Sequence, residues 1–387
     1  MINQITYRLC KAGHQVYLVG GAVRDELIGR PANDEDLVTS ARPEEILNLF
    51  TDLKTLEVGK SFGVVLIEGI EIATFRADLY GGLSHKDCVI SYADTIEADL
   101  ARRDLTINAM AVCEVTGNLI DPFNGKYDLH NRIIRFVGQA KDRIHEDPER
   151  LLRALRFKND IQGKFAPETM RALINYGHLI QHVAKERIRQ EIMKALKTKK
   201  ASGFFMDLNK TGMLKYVLPC LNDCVGHTGG DHHQETVFEH CMLAGDHISP
   251  KYPLVKLAAY LHDIGKGPKF RWAKNNGVQK VDPNHPIAAM PMMVEILTQY
   301  IGKVKKENAN LILKLVCYHD LVGEVLGKDR DEQQIVDVAE NEIELDMLFA
   351  IGKADATLLC ETLWDDDQAK SLYDRCLKAI KLKSGQQ

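Results

Sequence analysis

The segment QVYLVGGAVRDELIGRPANDEDLVTS, residues 15–40, decides the fold of the N-terminal part of the chain. Val16–Val19 is an apolar run of strand length that ends on Gly20-Gly21. The following AVRDELIG has helical spacing and stops at Gly29. DLVTS is strand-like, and Pro43 then opens the helix PEEILNLF. Strand, glycine pair, helix and strand in succession specify a mixed α/β unit. The same segment carries chemistry. In extended backbone Asp34 and Asp36 project to one side, about 6–7 Å apart. Two such carboxylates repel unless a cation lies between them. Mg2+ suits the position, because it binds through one or two carboxylates together with substrate phosphates. A pair of such ions activates an attacking hydroxyl and stabilises the leaving oxygen of a phosphoryl displacement.

Working outward, FGVVLIEGIEIATFR, residues 62–76, reads as a hairpin around Glu68-Gly69. It sets Glu71 between Ile70 and Ile72, and a third metal-facing carboxylate explains that charge. Gly20 and Gly21 lack Cβ atoms, so their backbone N–H groups can approach a triphosphate at a helix N-terminus. Arg24 adds a charge-assisted contact from the same helix. An exposed acidic turn accounts for a lone D-x-D. Glycines, Arg24, the aspartate pair and Glu71 in this order point to metal-dependent nucleotidyl transfer.

ADLYGGLSHKDCVISYADTIEA, residues 77–98, has loop character. From about residue 140 the period changes. PERLLRALRF and ERIRQEIMKALK carry apolar residues at helical spacing, with Ile188, Ile192 and Leu196 forming one stripe. No later segment reads as sheet. The fold class is α+β, a mixed α/β head followed by an all-α remainder. The expected division is 1–137 for the head, 138–225 for a helical neck and body, and 226–387 for a helical C-terminal domain, with Gly226–Gly230 as the linker.

With 387 residues and 43.5 kDa, two or three domains are expected. An apolar content of 45% and charged content of 27% match a soluble globular protein. No run of ~18 apolar residues is present to cross a membrane. The start MINQITYRLCKAGHQ lacks the apolar core of a secretion signal. Nine cysteines without a C-x-x-C pair fit reduced thiols in a cytoplasm. The net charge of −4 conceals an asymmetry. Residues 151–200 hold 12 Lys and Arg against 4 Asp and Glu, whereas residues 331–367 hold 12 acidic residues and one lysine, Lys353. The basic stretch is either a polyanion track or a solvated helix face, and the acidic one is unsuited to phosphates.

GGAVRDELIGRPANDEDLV, IEIATFR, ARRDLTINAMA, IDPFNGKYDL and HEDPERLLRALRF, taken in order, resemble the motifs of the class II CCA-adding tRNA nucleotidyltransferases, over residues 16–196. The resemblance implies that Asp34 and Asp36 bind Mg2+ and that Glu71 is the third catalytic carboxylate. Gly20, Gly21, Arg24, Arg103, Asp104, Asn108, Asp147, Arg150, Arg153 and Arg156 would bind the nucleotide. Asp147 and Arg150 match the family's base-selecting E-D-x-x-R motif. Three residues apart on a helix, they share one face. A carboxylate accepts from an exocyclic amine while a guanidinium donates to a ring acceptor. Cytosine and adenine present that pattern, and uracil and guanine the reverse. In isolation, the same spacing also makes an ordinary surface ion pair. The full-length segment 77–101 favours complete CCA addition over CC addition, and LVTSARPEEILNLF lacks the double arginine of bacterial poly(A) polymerases.

A second constellation lies beyond residue 230. TVFEHCMLAGDHI places His240 on a helix, KLAAYLHDIGKG adds His262 and Asp263, DPNHP adds His285, CYHD adds His319 and Asp320, and GKADATLL adds Asp355. Imidazole and carboxylate suit a divalent ion such as Zn2+, Mn2+, Ni2+ or Mg2+. The order of these residues is similar to that of the HD phosphohydrolase superfamily, over residues 230–360. That resemblance makes His240, His262, Asp263 and Asp355 metal ligands, with His285 and His319 as second-site ligands or phosphate contacts. His232 and His233 have no assignment. The implied chemistry is hydrolysis of phosphate monoesters and 2′,3′-cyclic phosphates.

Together these readings describe a cytoplasmic enzyme, monomer or homodimer, acting on tRNA through its acceptor stem and T arm with CTP and ATP. Arg153, Arg156, Arg187 and Arg189 are candidates for backbone contacts in the basic stretch. The alternatives are a poly(A) polymerase or a partial, A- or CC-adding enzyme of the same family.

Overall fold

The computed structural model describes residues 1–387 except 32–34, 59–62, 78, 81–87, 90, 229–234, 268–272, 276–277, 281–283, 302–304, 360–363 and 386–387. For 58, 79–80, 88–89, 273–275, 278–280, 300–301 and 357–359 only the backbone is described. The chain forms two compact units, Met1–Val183 and Ala184–Gln387.

The first unit runs α1 (Ile2–Lys11), β1 (Val16–Val19), α2 (Gly21–Leu27), β2 (Asp36–Thr39), α3 (Pro43–Leu49), β3 (Thr55–Val58), β4 (Val64–Ile67), β5 (Ile70–Thr74), β6 (Leu79–Tyr80), β7 (Cys88–Val89), α4 (Ile96–Ala101), β8 (Ala111–Cys113), β9 (Leu119–Ile120), α5 (Gly125–His130), β10 (Ile133–Ile134), α6 (Ala140–Glu146), α7 (Glu149–Asp160), β11 (Lys164–Phe165) and α8 (Pro167–Tyr176). Seven strands form one sheet in the order β3-β4-β5-β2-β1-β8-β9. Within it the β2–β5 ladder is parallel and the others are antiparallel.

One face of the sheet presents Leu37, Val65, Ile67 and Ile72 to Ile5 and Leu9 of α1 and to Ile46 of α3. The opposite face presents Val19 and Val38 to Ile96 and Leu100 of α4. Strand alternation therefore gives the sheet two packed faces. The β4–β5 hairpin turns at Glu68 and Gly69, whose φ values of 50° and 88° are the paired left-handed conformations that such a two-residue turn requires.

The stretch expected as loop between Ala77 and Ala101 contains α4 and the short β6–β7 ladder. The helix forms because Thr95 caps it, its hydroxyl accepting from Ala98 N at 3.3 Å, and because Glu97 and Asp99 lie in the first turn. Beyond the sheet the chain is largely helical. Two further ladders of two and three residues, β10–β11 and one in the second unit, interrupt it.

The second unit runs α9 (Lys185–Leu196), α10 (Ser202–Lys210), α11 (Leu214–Val217), α12 (Pro219–Asn222), α13 (Val237–His247), α14 (Pro253–Leu261), β12 (Ala273–Asn275), β13 (Val278–Lys280), α15 (His285–Ile296), α16 (Lys306–Cys317), α17 (Leu321–Leu326), α18 (Gln333–Val338), α19 (Glu342–Leu359) and α20 (Asp366–Lys383). α13 packs against α14 and α19. That approach needs Gly245, where a Cβ would lie 2.2 Å from the Tyr260 ring. The Tyr260 hydroxyl donates to Asp246, and Ser202 Oγ donates to the other oxygen of the same carboxylate. Among the described residues, no helix is long and apolar enough to cross a membrane. The seven described cysteines are free thiols.

Candidate active sites

In the first unit the sheet register positions the acidic residues. β2 and β5 pair Leu37 with Ile72. One residue earlier on each strand, Asp36 lies beside Glu71, and partners in register on parallel strands share a face. Both are exposed, while Ile70 and Ile72 turn to the core on the other face. Asp34 lies outside the described residues, and β2 begins at Asp36 itself.

Next to β2, β1 delivers the chain into Gly20, with φ 70° and ψ −125°, a conformation open to glycine. A Cβ there would lie 3.1 Å from Arg103 Nη1. Arg103 is held by Asp99, at 3.0 Å, and the same fully buried carboxylate takes Arg102 at 2.7 Å. Arg24 Nη1 donates to Asn108 Oδ1 at 2.7 Å. Asn108 Nδ2 in turn donates to Asp104 Oδ1 at 3.2 Å, and Arg153 Nε donates to Asp104 Oδ2 at 2.6 Å. Burial works to raise the Asp104 carboxyl. The Arg153 guanidinium, with Arg150 and Asn108, outweighs it and holds the group well below the usual carboxylate range.

Phe157 of α7 completes this network. The guanidinium carbons of Arg24, Arg153 and Arg156 lie 4.8, 5.5 and 3.9 Å from its ring centre. One aromatic face system thus gathers three cations expected to meet phosphates.

The structure corrects one geometric expectation. Asp147 and Arg150 do not share a helix. Asp147 sits between α6 and α7 in extended backbone, φ −153° and ψ 101°, and α7 starts at Glu149. Pro148 is the cause, since a residue before proline avoids helical backbone. Asp147 Oδ1 accepts from Glu149 N at 3.1 Å. Arg150 is buried, donating to Glu146 Oε2 at 2.6 Å and to the Arg102 carbonyl at 2.8 Å. Across the helix break, Arg150 N donates to the Asp147 carbonyl at 3.0 Å.

In the second unit, four histidines and three aspartates converge. Asp263 and His262 follow α14, His240 lies on α13, His285 opens α15, His319 follows α16 and Asp355 lies on α19. The ligand atoms of His240, His262 and Asp263 all lie within 4.8 Å of one another, as do those of Asp263, His285 and His319, and those of His319, Asp320 and Asp355. Asp320 thereby joins the cluster. Gly265 of HDIGK makes this possible, because a Cβ there would lie 1.9 Å from the His285 carbonyl oxygen. His232 and His233 lie outside the described residues.

Backbone carbonyls fix the tautomers. His262 Nδ1 donates to the Ala259 carbonyl at 2.7 Å and His319 Nδ1 to the Val316 carbonyl at 2.8 Å. Each ring therefore turns Nε2 inward. His240 does the same, with Nδ1 3.1 Å from Glu235 and Nε2 2.7 Å from Asp355. His285 and His319 bring their Nε2 atoms to 3.3 Å. His262 Nε2 and Asp263 Oδ1 are buried without a hydrogen bond. Buried lone pairs left unsatisfied within such groups fit a divalent ion with mixed nitrogen and oxygen ligands.

Charge is balanced by Lys266, whose ammonium donates to Asp263 Oδ2 at 2.6 Å in a buried pair. Burial works to raise the Asp263 carboxyl, and Lys266 and the surrounding imidazoles hold it well below its usual range. Asp355 is lowered likewise, against burial, by its hydrogen bond to His240 and by the nearby His262 imidazole. A cavity of about 440 Å³ opens beside His319, Asp320 and Asp355.

Of the remaining candidates, Arg189 pairs with Glu186, and Arg187 is half-buried. Sequence reasoning missed Asp99, Phe157, Glu235 and Lys266 as parts of the sites. The i,i+3 and i,i+4 spacing of Asp99 to Arg102 and Arg103 was a readable signal.

Comparisons with known proteins agree with this layout. Residues 16–135 match the poly A polymerase head domain, 164–224 the probable RNA and SrmB-binding site of polymerase A, and 230–342 the HD domain. The CCA-adding enzyme of Lactobacillus delbrueckii subsp. bulgaricus is 32% identical over 337 residues, 85% of this chain and 80% of that one. That of Bacillus licheniformis is 41% identical over 211 residues, 54% of this chain, and the match spans about half of that relative's length, 52%. The crystal structure of the Bacillus stearothermophilus CCA-adding enzyme in complex with CTP covers 98% of this chain and 81% of its own, at 25% identity and a TM-score of 0.62. The Thermotoga maritima CCA-adding enzyme complexed with tRNA shares the fold at 20% identity and the same TM-score, over 98% and 81% of the two chains. The chain belongs to the CCA-adding enzymes of the poly(A) polymerase/class II nucleotidyltransferase family, with a C-terminal HD domain.

Proposed function

We propose that this chain adds C, C and A to the 3′ ends of tRNA from CTP and ATP, without a nucleic-acid template. The observation that carries the reading is the placement of Asp36 beside Glu71, one residue before the Leu37–Ile72 pair on adjacent strands, next to the Gly20 turn. Asp34 and Asp36 would hold Mg2+, with Glu71 as the third carboxylate. Bound Mg2+ supplies charge stabilisation to the reacting phosphoryl oxygens. The RNA 3′ hydroxyl bonds to the α-phosphorus and pyrophosphate leaves. Arg24, Arg103, Arg153 and Arg156 bind the triphosphate, with Asp99 keeping Arg103 in place, Phe157 keeping the other three, and Asp104 and Asn108 linking Arg24 to Arg153. Asp147 and Arg150 read the base edge. The three segments 1–137, 138–225 and 226–387 serve as head, neck and body, and HD domain.

The HD domain hydrolyses phosphoesters. His240, His262, Asp263 and Asp355 would hold a divalent ion, which supplies Lewis-acid activation of water, with His285 and His319 as further ligands or phosphate contacts. Lys266 neutralises Asp263. Acting on 2′,3′-cyclic phosphates or 3′ phosphates, this site would clear a blocked RNA end before extension. We place the enzyme in the cytoplasm. Incubating tRNA that ends at the discriminator base with CTP alone, ATP alone and both tests the first activity. A three-nucleotide product needing both nucleotides supports it; an A-only or CC-only product makes this a poly(A) polymerase or partial enzyme. Cyclic-phosphate hydrolysis that survives His262→Ala/Asp263→Ala would refute the second.

A further inference from the structure

A cavity of about 520 Å³ lies on the first unit, between the C-terminal end of α2, α5 and the turn after α7, and shares no residue with the nucleotide site. Arg30, Lys126 and Arg132 line it, Leu27 and Ile161 form apolar wall, and no Asp or Glu contributes. Arg30 is tied to Asp160 at 3.2 Å. The Lys126 ammonium and the Arg132 guanidinium have no hydrogen-bond or ion-pair partner among the described residues.

The backbone around the cavity is strained and locked. Arg132 and Gln162, both on its wall, have φ values of 53° and 50°. Asn124, at φ 57°, caps α5, which supplies Lys126. Left-handed backbone at a residue such as arginine costs roughly 1–3 kcal/mol, and glycine would make the turn at no such cost. The two turns are pinned to each other. Lys164 N donates to the Arg132 carbonyl at 2.8 Å, and a Cβ on Gly163 would lie 2.4 Å from that oxygen. The cation-bearing wall is thus preorganised, as binding sites are and plain turns need not be.

We propose that this cavity holds one nucleotide of the bound RNA strand, with its flanking phosphates against Lys126 and Arg132 and its ribose and base against Leu27 and Ile161. The inference rests on the reading of RNA as the substrate. The volume falls within the ~300–1,000 Å³ of sites for one small molecule or residue. Apart from Arg30, Lys126 and Arg132, only His130 and Gln162 offer side-chain polar atoms, too few to select one free nucleotide. Backbone tracking by exposed cations needs no such selection.

The test is the double variant Lys126→Gln/Arg132→Asn. Asparagine tolerates the left-handed backbone, so the turn is kept while the charge is removed. Binding of tRNA lacking its terminal CCA is followed by fluorescence anisotropy across a salt series. The expected result is roughly tenfold weaker binding and a log–log salt slope smaller by about 2. Melting temperature and KM for CTP and ATP at saturating RNA stay as in the parent. Unchanged affinity and slope would overturn the proposal, as would loss of CMP binding with RNA affinity intact. Failure of the parent chain itself to bind tRNA would overturn the RNA reading and this inference with it.

Discussion

The His/Asp cluster of the second unit predicts a specific response to metal. His262 Nε2 and Asp263 Oδ1 are buried without hydrogen bonds, and each such atom costs about 1–3 kcal/mol. An ion that satisfies both binds the folded state and not the unfolded one. At a hundredfold excess over its Kd it stabilises the unit by about 2.7 kcal/mol. The unit Ala184–Gln387 is about 200 residues long, and for that size 1 kcal/mol moves the melting temperature by ~2–4 °C. The expected shift is therefore roughly 5–11 °C. The assay is scanning calorimetry of the full chain, stripped with chelator and then titrated with Mn2+, Ni2+, Zn2+ and Mg2+ in turn. At least one ion should shift the transition of the second unit, and His262→Ala/Asp263→Ala should abolish the shift. No response to any of the four ions, or an equal response in the double variant, would refute the assignment.

Other perturbations follow from the same geometry. Gly265→Ala places a methyl 1.9 Å from the His285 carbonyl oxygen; urea denaturation should show a loss of about 1–3 kcal/mol or more, and the metal-induced shift should disappear. Phe157→Leu keeps apolar bulk but removes the face shared by three guanidiniums, so KM for CTP and ATP should rise roughly fivefold to tenfold with kcat little changed, and Phe157→Tyr should restore it. Asp104 titrates below its unfolded value, so its stabilising contribution is complete above pH ~4 and is lost as pH falls through the folded value. The difference in urea midpoint between the parent and Asp104→Asn should be constant from pH 7 to 5 and shrink below pH ~4; a constant gap down to pH 3 would contradict the Asp104–Arg153 pairing.

Legibility in the sequence followed the range of the forces involved. β1, α2, β2, α3 and the β4–β5 hairpin announce themselves through local signals: a glycine pair, Pro43 at a helix start, and a turn whose Glu68-Gly69 backbone is left-handed. The helix α4 was hidden by the polar, glycine-containing stretch before it, although Thr95 with Glu97 and Asp99 behind it was a start signal. Pro148 likewise marked the break at Asp147, and helical periodicity overrode it. Ladders as short as β10–β11 carry no period to detect. In the second unit His240, His262, Asp263 and His319 stand out as titratable groups on, or just after, apolar helices. Glu235, which orients His240, does not, because its role depends on tertiary placement of an otherwise ordinary acidic residue. Phe157 reads as a core aromatic, which it also is, at 6% exposure.

The central claim is that the acidic pair on β2 and β5 supports nucleotidyl transfer. The direct measurement is the rate of CMP and AMP incorporation into tRNA lacking CCA, by the parent chain and by Asp36→Asn and Glu71→Gln, with RNA affinity measured alongside. The account predicts a drop on the order of 10²–10³-fold in each variant, with RNA binding retained. Incorporation at the parent rate by either variant would contradict it.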